Sequence, residues 1–246
     1  MNCPAEVDAQ KTRRRLAVEF YFDLVCPWCL IGKRQLEQAI DLLALGHPDV
    51  EVVVHWRSLP LLPDLPLEGV PFQAFYLKRL GSARAVEARR RQVRDVGLAT
   101  GVRFDFEHIV LMPNTIAAHR LIEHAGQSGG HALQAQLIDR LFDAFFCRSE
   151  DIGDLQVLVD IGEAFGLERT SMLALLAAPV HETALPRWLD DARQQGIAGV
   201  PGFVLEDRVP RMGAHAPEKL AMAMLKSLFA CSARGPHLGN GELQAP

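Results

Sequence analysis

The stretch Leu16-Ala17-Val18-Glu19-Phe20-Tyr21-Phe22-Asp23-Leu24-Val25-Cys26-Pro27-Trp28-Cys29-Leu30-Ile31-Gly32-Lys33-Arg34 decides the fold. Its opening residues set Leu16, Val18, Phe20 and Phe22 against Ala17, Glu19, Tyr21 and Asp23, the period-two pattern of a β-strand. Pro27 suits the first turn of a helix, where its missing N–H has no partner to lose. Beyond it Ile31, Leu36, Ile40 and Leu43 share one helical face, with Lys33, Arg34, Glu37 and Asp41 placed off it, until Gly46 and Pro48 stop the helix. Residues 50–56 are rich in β-branched side chains and read as a second strand. Strand, helix and strand at this spacing form one right-handed βαβ unit with parallel strands.

Cys26 therefore falls at the helix N-cap, where unpaired backbone N–H groups and the positive end of the helix dipole favour a thiolate. Two intervening residues let the Cys29 sulfur reach Cys26 within a turn, so the first can attack a disulfide and the second can resolve the mixed disulfide. Pro27 sets the turn and Trp28 offers an aromatic wall. A zinc site would require two further ligands, and neither the isolated Cys3, Cys147 and Cys231 nor the nine histidines supply a pair at metal-binding spacing. No metal is expected. Inert burial is disfavoured as well, because polar residues after Pro27 imply an exposed helix start.

Further along, residues 59–71 are a connection marked by Pro60, Pro63, Pro66 and Pro71. Residues 72–176 read almost wholly as helix, with breaks near Gly81, 101–113, 126–130, 148–153 and Gly166, and with Ser82 and Asn114 as caps. A helix over 183–195 with Pro186 in its first turn leads to Gly199-Val200-Pro201-Gly202. Short strands at 203–205 and 209–212, a helix over 217–229 and a frayed tail from Gly235 follow. Without the helical block the order is βαβαββα. Val200-Pro201, just before a strand, is placed for a cis proline beside the cysteine pair. Only about 5–6% of X–Pro bonds are cis, so on the residues alone a trans proline in an ordinary strand-entry turn is favoured.

The chain has 246 residues, 49% hydrophobic and 23% charged, which excludes disordered and collagen-like classes. No apolar run approaches the roughly 20 residues of a membrane span. A net charge of −4 provides no general attraction to nucleic acid or anionic lipid. The stretch containing Lys78, Arg79, Arg84, Arg89, Arg90, Arg91 and Arg94 could in principle bind nucleic acid, but Glu87 and Asp95 interrupt it and a solvated face is the better reading. The N-terminal residues lack the basic, apolar and small-residue order of a secretory leader, so a cytoplasmic location is expected. Five cysteines, an odd number, form no disulfide framework. Gly126-Gln127-Ser128-Gly129-Gly130 has the spacing of a hydrolase elbow but reads as a loop between two helices, without the strand an elbow needs. The acids of Asp151-Ile152-Gly153-Asp154 read as helix caps. Cys147, at the end of an apolar helix, reads as packed.

Taken together, these features resemble the thioredoxin superfamily, and the helical block resembles the DsbA family. Asp23-Leu24-Val25-Cys26-Pro27-Trp28-Cys29-Leu30-Ile31-Gly32-Lys33-Arg34, Asn114-Thr115 with Ala118-His119-Arg120, Asp151-Ile152-Gly153-Asp154 and Gly199-Val200-Pro201 are similar to its FrnE-like cytoplasmic branch. The resemblance implies an α/β, thioredoxin-like fold with a large all-helical insertion between the second and third strands. The thioredoxin-like part would comprise 16–58 and 183–230, the inserted helical domain 70–180, and the tails 1–15 and 231–246.

It also implies a protein-disulfide oxidoreductase with Cys26 as nucleophile and Cys29 as resolving thiol. Pro27, Trp28, Val200 and a cis Pro201 would form the substrate platform. No resident cofactor is implied, with glutathione open as redox partner or co-substrate. Partners would be thiol or disulfide substrates, protein or small molecule, with neither nucleic acid nor membrane, for a monomer or homodimer. Strongly oxidising periplasmic members carry His where Trp28 stands, which predicts a milder potential here. Relatives often carry Phe where Gly202 stands, so the groove is either opened or loosened. The rival reading is a kappa-class glutathione transferase or 2-hydroxychromene-2-carboxylate isomerase. Those enzymes typically place serine at the position of Cys26, and the kappa class an acid where His215 stands. Some family members carry a second, C-terminal cysteine pair, whereas this chain has Cys231 alone.

Overall fold

A four-stranded sheet in the order β2-β1-β5-β6 organises the chain, whose computed structural model describes residues 14–178, 184–206 and 208–232. β1 (Arg14–Phe22) and β2 (Val50–Ser58) run parallel in register from Arg14 opposite Val50 to Phe22 opposite Ser58. The crossover between them is α1 (Pro27–Gly46). β5 (Gly202–Val204) pairs antiparallel with β1, Phe203 facing Phe20, and β6 (Pro210–Met212) closes the edge.

Between β2 and β5 lie β3 (Val70–Pro71), α2 (Phe72–Leu80), α3 (Ala83–Ala99), β4 (Leu111–Met112), α4 (Ile116–Arg148), α5 (Leu155–Ala164), α6 (Arg169–Ala177) and α7 (Ala184–Gln194). α8 (Pro217–Ser232) ends the described chain, extending past the expected stop at 229 to include Cys231. The expected all-helical insertion thus contains a small ribbon, β3 against β4. Two residues a side carry no periodicity, which is why the sequence pattern does not reveal it. Met1 to Arg13 and residues 233–246, including Cys3 and the tail from Gly235, lie outside the described residues.

The alternation in β1 has a direct result. Leu16, Val18, Phe20 and Phe22 are fully buried in one continuous core with Leu36, Ala39 and Leu43 of α1 and Leu220, Met224 and Leu228 of α8. Burial of each such side chain stabilises by about 1.5–3 kcal/mol. Tyr21 is equally buried on the opposite face, where Leu59, Ala192, Ile197 and Val204 form a second cluster and its hydroxyl donates to Asp191 at 2.8 Å. β1 is a central strand whose second face is open at Arg15, Ala17 and Glu19 and closes over only at Tyr21, so the alternation separates inside from outside along most of the strand and two cores only at its end.

Local capping chemistry acts where the residues indicate it. Ser82 accepts from the Ala85 N–H at 3.2 Å to start α3, and Asp154 accepts from Gln156 and Val157 to start α5. Asn114 accepts from Ile116 and also donates to the carbonyls of Pro63 and Leu65, tying the Pro-rich connection to the start of α4. The serine of the elbow-like pentapeptide lies in helix rather than loop. α4 continues through Gly129 and breaks only at Gly130, whose φ of 73° and ψ of −170° leave the helical region.

Lys33 departs from expectation. Its position off the apolar stripe of α1 suggests solvent, yet it is 1% exposed. α4 crosses that face, and the Lys33 ammonium donates to Asp139 at 2.6 Å and to Glu37 while lying 5.1 Å above the Trp56 ring.

Candidate active site

Cys26 stands where β1 hands over to α1. It is the N-cap of α1, its backbone extended at φ −93°, ψ 108°, with Pro27 in the first turn. Its N–H donates to the Asp23 carbonyl at 3.2 Å, and its own carbonyl accepts from Cys29 at 2.9 Å, opening the helical ladder. The exposed helix start expected from the residues after Pro27 is corrected by the structure. Cys26 is only 6% exposed and Cys29 fully buried, because Trp28 packs on the core, α3 packs against α1, and Tyr76 of α2 with Val86 and Val93 of α3 lines a crevice beside Pro27. Both cysteines are free thiols. Burial pushes the Cys29 thiol well up, and the adjoining Cys26 adds to the effect. Cys29 is therefore the proton-holding member of the pair.

Beneath the pair lies a polar network that the strand pattern does not show. Asp23 and His119 are fully buried and Ser58 nearly so. The His119 ring meets the Asp23 carboxyl through Nε2 at 3.1 Å and the Ser58 hydroxyl through Nδ1 at 2.9 Å. The other Asp23 oxygen accepts from the Leu61 N–H at 2.7 Å. The ends of β1 and β2 and the first turn of α4 are thus joined by one satisfied set of hydrogen bonds, and the Asp23 charge bears on the Cys29 sulfur. The signal available was weak: Asp23 and His119 occur in the family-like segments, but 96 residues separate them.

The other wall comes from the segment before β5. The Val200-Pro201 peptide is cis, and the Val200 carbonyl lies 4.0 Å from Cys26 Sγ. Pro201 is buried, and its carbonyl accepts from Gly213 at 2.8 Å. Gly32, one turn beyond Cys29, lets α1 approach this segment. A Cβ there would stand 3.3 Å from the Pro201 ring. Pro27, Trp28, Val200 and Pro201 thus gather around Cys26 from two segments over 170 residues apart.

At Gly202 a Cβ would meet Ile197 at 3.0 Å, so Ile197 takes the space beside the backbone where a side chain would begin. His215, at the position where an acid would bear on the kappa-class reading, is held below its ordinary value by burial and by Arg211 and Lys219. A neutral ring among cations is a poor seat for an ammonium group. Cys147 is half-buried and its thiol donates to the Arg103 carbonyl at 3.3 Å, away from the pair. Among the described residues no group of three or more His, Cys, Asp and Glu is arranged to hold a metal. No described helix is long and apolar enough to cross a membrane.

The inserted helices supply the outer rim. Phe72 and Tyr76 pack on the core, and the Tyr76 phenol, raised to about 12 mainly by burial, feels the Cys26 charge and those of Arg79, Arg89 and Arg90. A family model for the DSBA-like thioredoxin domain matches residues 17–225. The chain belongs to that DsbA-like family.

Solved structures agree. A chain from Streptomyces coelicolor described as a probable DsbA oxidoreductase, SCO1869, is 25% identical, with 94% of each chain covered and a TM-score of 0.76. The cytosolic disulfide reductase DsbM from Pseudomonas aeruginosa, solved with glutathione, shares the fold at 16% identity, covering 89% of this chain and 98% of its own, with a TM-score of 0.57. A 2-hydroxychromene-2-carboxylate isomerase does so at 15% identity, 89% and 96% coverage and a TM-score of 0.56. The DsbA-like architecture, with its helices inserted between β2 and β5, carries the Cys26 and Cys29 pair where the sequence places it.

Proposed function

We propose that this DsbA-like chain is a cytoplasmic thiol–disulfide oxidoreductase of the FrnE-like branch, acting on thiol or disulfide substrates through Cys26 and Cys29. The observation that carries this reading is the free dithiol at the start of α1, with Cys26 4.0 Å from the Val200 carbonyl. In the reducing direction the Cys26 thiolate attacks one sulfur of a substrate disulfide and expels the other as a thiolate. Cys29 then attacks Cys26 and releases the second substrate thiol, so two electrons pass to the substrate and Cys26 and Cys29 end as a disulfide. Oxidation of a dithiol substrate is the reverse.

Cys26 is the more exposed sulfur and acts as nucleophile. Cys29, buried and held protonated, attacks only as it loses its proton. Val200 presents its backbone to an extended substrate beside Pro201, while Pro27 and Trp28 flank the sulfur. No resident cofactor is required, and glutathione fits the role of redox partner. With Trp28 in place of a histidine, the pair is a milder oxidant than the periplasmic members.

The test is equilibration in glutathione redox buffers, with free thiols trapped and counted by mass. A reversible two-electron transition that disappears in Cys26→Ser is expected. Absence of a disulfide at Cys26 and Cys29 across the buffer range would overturn the reading and favour glutathione-dependent isomerase or transferase chemistry on Cys26 as a single thiol.

A further inference from the structure

The basic stretch on α2 and α3 has an address that its sequence does not reveal. Residues 72–99 hold seven basic side chains against two acidic ones, a local charge of +5 within a chain of net −4. Part of this charge is spent on the fold. Arg90 lies over the rings of Phe72 and Phe106 at 5.6 and 5.9 Å, and Arg94 over Phe106 at 5.6 Å while pairing with Glu87 and Glu107. Lys78, Arg84, Arg89 and Arg91 make no ion pair with any described residue, and all four are exposed.

These helices border the reacting sulfur. A narrow apolar crevice of about 20 Å³ joins Pro27 to Tyr76, Val86, Val93 and Phe106, with Arg89 and Arg90 at its rim. That volume admits little more than one water-sized group. The guanidinium groups are therefore available to what lies across the mouth of the crevice rather than within it.

We propose that this rim selects disulfides bearing carboxylates close to the sulfur, with Arg89 as the main contact and Arg90 as its partly engaged neighbour. A guanidinium takes a carboxylate through two parallel hydrogen bonds. A concentrated positive field beside a partly buried sulfur raises the encounter rate of anions, an effect that reaches 10- to 1,000-fold in focused sites. The chain's overall acidity argues against a polyanion wrapping its surface and suits a small negative group delivered to one spot. The inference rests on the oxidoreductase reading and deepens it by naming the charge class of the substrate.

The test is a single turnover of the reduced protein at low ionic strength with three probes: oxidised glutathione (anionic), 2-hydroxyethyl disulfide (neutral) and cystamine (cationic). Formation of the Cys26 and Cys29 disulfide is followed by acid quench and mass, and each rate is divided by that of the same probe with dithiothreitol. The expected normalised order is anionic, neutral, cationic, with roughly tenfold between the extremes. The spread should shrink severalfold in Arg89→Gln and collapse in 0.5 M salt, where screening is short-ranged. Arg15→Gln removes the same charge at the far end of β1 and should keep the spread.

A flat order in the unmodified protein, or equal shrinkage in Arg89→Gln and Arg15→Gln, overturns the proposal. Failure of all three probes to oxidise the pair removes the oxidoreductase reading itself, a different result from a flat order. A disulfide joining two Glu-flanked cysteine peptides separates the sources. A faster normalised rate than oxidised glutathione assigns the rim to acidic protein segments, and a slower one assigns it to small anionic disulfides, either within the proposal.

Discussion

The corner where β1, α1 and the segment before β5 meet differs in kind from the α2 and α3 helices that overhang it. In the corner nearly every polar group is buried and satisfied: Asp23, His119, Ser58 and the Leu61 N–H form one closed set, and Gly32 and Pro201 touch without a side chain between them. In the overhang, Lys78, Arg84, Arg89 and Arg91 stand in solvent without ion pairs to any described residue. Buried polar groups tolerate no loss of partner, whereas exposed charges cost little to keep or remove. Chemistry sits where geometry is over-determined, and selection where side chains can change without cost to the fold.

The strongest way to break this comparison is Asp23→Leu, which strands the His119 ring in the core at about 1–3 kcal/mol and also takes the acceptor from the Leu61 N–H. Urea unfolding should show a loss of several kcal/mol. Asp23→Asn should lose less, since its amide oxygen can accept from Leu61 and its N–H₂ donate to His119. Equal losses would mean the hydrogen bonds are not what the corner depends on.

Gly32→Ala is next. A methyl 3.3 Å from the Pro201 ring must displace it, an overpacking worth about 1–3 kcal/mol. Disulfide exchange should slow with it, and a thermal melt paired with a rate measurement checks both.

The buried Cys29 thiol provides a pH test. Because folding raises its proton affinity, the folded chain holds more protons than the unfolded one above the ordinary thiol value of 9.0. The stabilisation is therefore present below that value and lost as pH rises, at up to about 1.4 kcal/mol per pH unit. In a Cys26→Ser background, the chain retaining Cys29 should lose stability more steeply above pH 9.0 than the Cys29→Ser chain. Parallel slopes would place Cys29 in water-like surroundings.

The smallest effect belongs to the overhang. Ser82→Ala removes the cap of α3 and should cost about 1 kcal/mol, with little change in exchange of a neutral disulfide. A loss as large as that of Asp23→Leu would remove the contrast between the two regions.

Much of this was readable beforehand. The strand at Leu16 to Phe22, the cysteine pair at a helix start, the Ser82 and Asp154 caps and the βαβαββα order all follow from short-range patterns, since each is decided within one or two turns of chain. What escaped reading was set by partners far away. Lys33 is off the apolar stripe of α1 but buried because α4 brings Asp139 over it. Gly202 has no room for a side chain because Ile197 fills the space beside it. The short ribbon of β3 and β4 has too few residues to show a period.

The sequence by itself determined the reactive group and its setting: a dithiol at the positive end of a helix, reached from a strand, needs only local backbone preferences to be specified. The tertiary structure alone decided that Cys29 holds its proton, that Asp23 meets His119, and that a basic helix borders Cys26. Burial, desolvation and charge are sums over neighbours brought together by the fold, and no local pattern contains them.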